Sequence, residues 1–264
     1  MQFDNIKYIE CFGVSGSGKT HIRKEIKKKL KKKGIKILDR REIIIYEHES
    51  IIKLDFIERQ VVNYFKLLNF IKKKKRKTSI KKASSEKSTH IKTNLKKILN
   101  NVTIKLANKY ENICKKILLK NIKSKNIYKF ILKILKNSKD INKNLYHFWF
   151  VEMLAANSIY EVNKKNLDFI YFPDEGFIQR IFLINQLTEP KNDDIIKEYF
   201  RIIPKGELIF NINSKKEKIY HAHSIRKSNN SDFLMNKKEI NKMIEFKKKL
   251  INNFTNFKFK TIKN

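Results

Sequence analysis

The residues most able to do chemistry stand together near the start of the chain, Gly13-Val14-Ser15-Gly16-Ser17-Gly18-Lys19-Thr20. In a GxxxxGK[ST] loop the glycines let backbone N–H groups converge on phosphate oxygens. The lysine reaches the outer phosphates and the hydroxyl joins the shell of a Mg²⁺ ion. Here those roles fall to Gly13, Gly16, Gly18, Lys19 and Thr20, with Val14, Ser15 and Ser17 supplying the backbone between them. A helix starting near Lys19 would point its positive end at the same phosphates. The chain has six glycines in all, so three of them in this register do not come from composition.

A second group follows an apolar run. Residues 167–172 read as a strand that ends at Pro173-Asp174-Glu175-Gly176, where proline stops the ladder and glycine permits a sharp turn. Two carboxylates at a strand end suit phosphoryl transfer: one, Asp174, to hold Mg²⁺ through water, and the other, Glu175, to accept a proton from a hydroxyl. The same pair could instead cap a helix starting near Phe177. His147, His221 and His223 have no metal spacing with cysteines or acids, and no role is assigned to them.

These residues need a scaffold. Residues 6–12 read as a buried strand running into the loop, and 21–33 as a helix that Gly34 ends in the left-handed conformation. Residues 35–38 give a second strand, continuing after Asp39-Arg40-Arg41-Glu42 into the apolar run 43–46. Helical spacing returns over 50–72, and the lysine- and serine-rich stretch 72–90 has too few apolar residues to order, so an exposed linker is expected. Two or three amphipathic helices follow over 91–136, and 145–162 is apolar on most of its circumference, as a buried helix is. Helices over 177–187 and 193–200, a strand over 208–213 with Ser214 capping the next helix, a helix over 237–252 and a last strand over 257–262 complete the pattern. Strands alternating with helices, without adjacent hairpins, predict an α/β protein with a mainly parallel sheet and helices on both faces. Ligand is expected at the carboxyl ends of the strands.

Lys and Arg number 61 against 26 Asp and Glu, a formal charge of +35. Lys, Ile and Asn rise together while Gly, Pro and Ala are scarce, as a strongly AT-rich coding sequence would produce. The charge is nevertheless uneven, since residues 71–140 hold 23 Lys and Arg against three acids. That segment is expected as a basic helical insertion within a core of 1–70 and 141–264, able to touch nucleic acid or another anionic surface. Cys11 and Cys114 make no metal cluster or disulfide framework. No charged-then-apolar leader opens the chain, and its most apolar stretch is interrupted by His147, Glu152 and Asn157. Neither export nor a membrane span is expected, and a reducing cytoplasm fits best.

GVSGSGKT at 13–20 and DEGFIQR at 174–180 together resemble the P-loop kinases that include thymidylate kinase and the deoxynucleoside kinases. The resemblance covers the scaffold and leaves out 71–140. It implies a three-layer P-loop NTPase fold, ATP with Mg²⁺, and transfer of a phosphoryl group to a small acceptor such as a nucleoside, nucleotide or sugar. By the same resemblance Glu175, with Asp174, activates the acceptor hydroxyl, Arg180 orients it, and Asp39 to Glu42 supply acceptor or phosphate contacts. Residues 204–213 and the helix ending near Arg226 and Lys227 are similar to the family's fourth strand, helix and phosphate-clamping lid, with Arg226 as the clamp. The chain is expected to close on its last strand without the final helix that many family members have, either because the fold is trimmed or because the basic insertion covers that face. Arg180 could instead form a surface ion pair. The competing function is a P-loop ATPase acting on nucleic acid, favoured by the basic segment and lacking further helicase motifs.

Overall fold

The computed structural model describes residues 6–47, 107–188, 192–228, 235–253 and 259–263. The helix expected over 50–72 and the linker expected over 72–90 lie outside them. The strands are β1 (Ile9–Phe12), β2 (Lys36–Leu38), β3 (Phe169–Tyr171), β4 (Leu208–Asn213) and β5 (Phe259–Lys263). All pairings are parallel: β2 with β3, β1 with β4, and β4 with β5. A parallel bridge between Tyr8 and Tyr171 sets β3 beside β1, where the Tyr171 N–H donates to the Lys7 carbonyl at 2.8 Å. The strands therefore run in the order β2, β3, β1, β4, β5, with every carboxyl end on one edge. The chain leaves β1 in one direction and, after β3, crosses to continue in the other, the arrangement that opens a crevice between neighbouring strand ends.

Period-two alternation feeds two separate apolar clusters. Ile9, Cys11, Ile170, Phe172, Phe210 and Ile212 form one with Leu30 of α1 (Lys19–Lys32). Tyr8, Phe12, Phe169, Tyr171 and Ile209 join the other, larger one. Its centre is the helix Lys143–Asn163, on which every residue from Phe150 to Tyr160 is buried, as its apolar circumference predicts. The described part of 71–140 is helical, over 107–120 and Ile122–Asn137. Asn121 caps the second of these by accepting the Ser124 N–H at 3.0 Å. Their apolar sides, including Tyr110, Leu118, Ile127 and Ile131, belong to the same large cluster. Gly34 takes φ 74° after α1, as expected of the residue that ends that helix. Helices Ile181–Leu187, Asp193–Ile202, Lys216–Ser228 and Lys237–Asn253 account for the remaining helical segments.

One expectation is overturned. The run 43–46 does not extend the second strand: Arg40–Glu47 is a helix, α2. The cause lies in the polar residues before it. Asp39 Oδ1 accepts the N–H groups of Arg41 (3.1 Å) and Glu42 (3.0 Å), while Glu42 Oε2 accepts that of Asp39 (2.7 Å). This reciprocal capping box starts a helix whatever the strand propensity of the isoleucines behind it. Asp39→Ala is expected to lower the unfolding free energy by about 1 kcal/mol in urea denaturation. An unchanged midpoint would show that the box contributes nothing.

Candidate functional site

The glycine loop joins β1 to α1. Gly16 and Gly18 adopt φ 83° and 87°, a region open to glycine at little cost, and Gly18 is the N-cap of α1 with no side-chain cap bond. No acidic residue lies in the first turn of that helix, so none from its own first turn offsets its positive end. Lys19 Nζ folds back onto the carbonyls of Gly13 (2.8 Å) and Val14 (3.0 Å), and Thr20 is exposed. A Cβ on Gly13 would meet Ser17 Oγ at 2.6 Å and the Ile212 carbonyl at 3.0 Å, so a side chain there would have to push the serine hydroxyl and the β4 backbone aside. Val14 is buried, and Ser15 and Ser17 expose their carbonyls to later segments. The Ser214 hydroxyl donates to Ser17 O at 2.7 Å, and His223 Nε2 lies 3.2 Å from Ser15 O.

The two carboxylates stand at the neighbouring strand end. Asp174 forms an ion pair with Arg40 of α2, whose Nη2 donates to Oδ2 at 3.3 Å and whose Nε lies 3.0 Å from Oδ1, and Arg40 also reaches Glu152 at 3.6 Å. Burial works against ionisation of Asp174, but the charges of Arg40 and Arg23 outweigh it and hold the carboxyl below its usual range. Glu175 pairs with Arg180, Nη2 to Oε2 at 2.8 Å, and the Arg180 guanidinium lies 4.5 Å from the ring centre of Trp149. Arg180 is therefore buried between its partners, not a surface ion pair. Two bonds tie this strand end to the loop: Gln179 Oε1 accepts the Gly13 N–H at 3.1 Å, and Arg23 of α1 donates to Phe172 O at 3.0 Å. Lys19, Thr20, Asp174, Glu175 and Arg180 are thus on one edge of the sheet. Arg226 lies in the helix Lys216–Ser228, and its side chain is outside the described residues.

Glu10 went unread in the sequence. It sits on β1 with no solvent exposure, accepts the Tyr8 hydroxyl and accepts the Ile178 N–H at 3.0 Å. Gly176 packs so closely on its carboxylate that a Cβ there would overlap it. It is Glu10, from the adjacent strand, that takes an N–H of the turn after Asp174 and Glu175, whose own side chains bond arginines. Burial pushes the Glu10 carboxyl up to about 7, against a partial opposing pull from its hydrogen bonds. A single acidic residue inside an apolar strand was the available signal. His223 and Lys247 also sit against the loop region, and neither had a motif to mark it.

Among the described residues no group of three or more His, Cys, Asp or Glu could hold a metal, and no helix is long and apolar enough to cross a membrane. Compared with protein-family models, curated proteins and solved structures, the chain matches none.

Gly176→Ala is expected to displace the turn that carries Glu175 and to destabilise the fold. Glu10 has a folded value near 7 against 4.5 in an unfolded chain, so the unfolded state ionises first as pH rises. Wild-type stability relative to Glu10→Gln should then fall by about 3 kcal/mol between pH 4.5 and pH 7 and stay level above it. A stability difference that does not vary with pH would refute this.

Proposed function

We propose that this protein is a MgATP-dependent phosphotransferase that moves the γ-phosphoryl group to a hydroxyl of a small acceptor, on a three-layer P-loop scaffold. The observation that carries the reading is one of position. A complete GxxxxGKT loop opens a helix straight from a parallel strand, and an Asp-Glu pair stands at the adjacent strand end, bonded to that loop through Gln179. In this reading the N–H groups of residues 14–20 cradle the phosphates, and Lys19 leaves the Gly13 and Val14 carbonyls to bind them. Bound Mg²⁺ would be held by Thr20, by Asp174 through water and by phosphate oxygens, and would neutralise charge on the transferring group. Asp174 stays ionised for this task because Arg40 lies against it.

Glu175, oriented by Arg180, accepts the proton of the attacking hydroxyl. Trp149 walls one side of that pair, and Arg40 Nη1 and Arg23 Nε are buried donors without a hydrogen-bond partner among the described residues, which supports a polar acceptor at this strand end. A nucleoside, nucleotide or sugar all meet that description.

A second reading has its own support. The described helices of the basic segment turn Lys116, Lys120, Lys123, Lys125, Lys129 and Lys133 to solvent, a surface suited to nucleic acid. Transfer of the γ-phosphoryl group should therefore be measured against a panel of nucleosides, nucleotides and sugars, with single-stranded DNA and RNA in parallel. The kinase reading expects transfer to one acceptor class, lost by about a hundredfold or more in Lys19→Ala. Glu175→Gln should slow transfer on the order of 10²- to 10⁴-fold with ATP affinity retained. ATP turnover stimulated by nucleic acid alone, with no acceptor phosphorylated, would replace the kinase reading with the ATPase one.

A further inference from the structure

Lys247, on the helix Lys237–Asn253, is 5% exposed although it carries an ammonium group. Its Nζ donates to the Ile212 carbonyl at 2.7 Å and to Asn213 Oδ1 at 2.6 Å, and it lies 5.7 Å from the ring centre of Phe12. Those residues lie at the carboxyl ends of β4 and β1, which pair with each other, and β1 runs straight into the glycine loop. The Ile212 carbonyl is also the atom that a Cβ on Gly13 would meet at 3.0 Å, while Lys19 Nζ bonds the carbonyl of Gly13 itself. Both amines therefore close on the first glycine of the loop, one through its own carbonyl and one through the carbonyl packed beside it.

Neither partner of Lys247 is charged, and no carboxylate among the described residues pairs with it. Among the described residues Lys19 is the charged group that acts on it, while Ile212, Asn213 and Phe12 are neutral. Burying an ammonium beside a like charge is unfavourable unless an anion completes the site. An ammonium has three N–H donors, and the described residues accept two of them. Burial first and the charge of Lys19 second bring its pKa down to about 8, which still leaves it mostly protonated at neutral pH.

We propose that Lys247 is a second cation of the phosphate site, acting with Lys19 to draw the polyphosphate chain of a nucleotide onto the loop. The inference rests on the nucleotide-binding reading of residues 13–20. It gives the last helix a part in binding that the loop motif does not assign to it.

The test is equilibrium binding of ATP and of inorganic tripolyphosphate, which lacks a nucleoside, to wild type and Lys247→Met at pH 7 and pH 9.5. At pH 7 the variant is expected to bind both compounds at least tenfold more weakly. At pH 9.5 wild type should have fallen to the variant's level, because Lys247 has lost its proton there. Affinities within twofold of each other at pH 7, or a deficit that persists unchanged at pH 9.5, would overturn the proposal in favour of a merely structural lysine. If the variant fails to fold, the wild-type curve decides: a tripolyphosphate affinity that stays flat from pH 7 to pH 9.5 overturns it. Wild type that binds neither compound overturns the nucleotide-site reading as well, which separates the two failures.

Discussion

Glu10 puts a carboxyl group in the middle of the protein, bonded to the N–H of Ile178, pressed on the backbone of Gly176 and capped by the Tyr8 hydroxyl. Its burial is costly, and the cost is offset only because the group is hydrogen-bonded on both sides. What the contact fixes is the path of the chain after β3. The turn over 176–180 is held against β1, and with it go Gln179, which reaches the N–H of Gly13, and Arg180, which orients Glu175. Glu10, on the strand that runs into the glycine loop, thus helps to hold the two carboxylates beside that loop, together with the bonds from Gly13 to Gln179 and from Arg23 to Phe172.

The charges around that pivot are sorted by type. Around Asp174 and Glu175 themselves the cations are arginines paired with carboxylates: Arg40 with Asp174 and Glu152, and Arg180 with Glu175. Planar guanidinium groups suit this, since they bind carboxylates at fixed angles and keep their charge when buried. On the loop side the cations are lysines held by neutral atoms, Lys19 on the carbonyls of Gly13 and Val14, and Lys247 on Ile212 and Asn213. The first arrangement is nearly neutral and orders side chains. The second carries excess positive charge and suits a polyanion.

Elements with strong periodicity or a local motif were legible in the sequence. The loop and its helix, the strand over 208–213, the buried helix around Phe150 and the last helix all stand where their patterns place them. Over 43–46 two local signals compete: three isoleucines suggest a strand, but Asp39 and Glu42, three apart, form a capping box that prevails. Of the site, the residues with short-range signatures could be named. Glu10, Gln179, His223 and Lys247 could not, because each acts through a partner far away in the chain, and only the parallel pairing of β1 with β3 and β4 brings those partners together.

The most direct measurement is a crystal structure with Mg²⁺ and a non-hydrolysable ATP analogue. The account predicts the triphosphate wrapped by residues 13–20, with Lys19 Nζ moved off the Gly13 and Val14 carbonyls onto its outer oxygens, and Asp174 facing the metal. A triphosphate bound elsewhere, with Lys19 still bonded to those carbonyls, would contradict it.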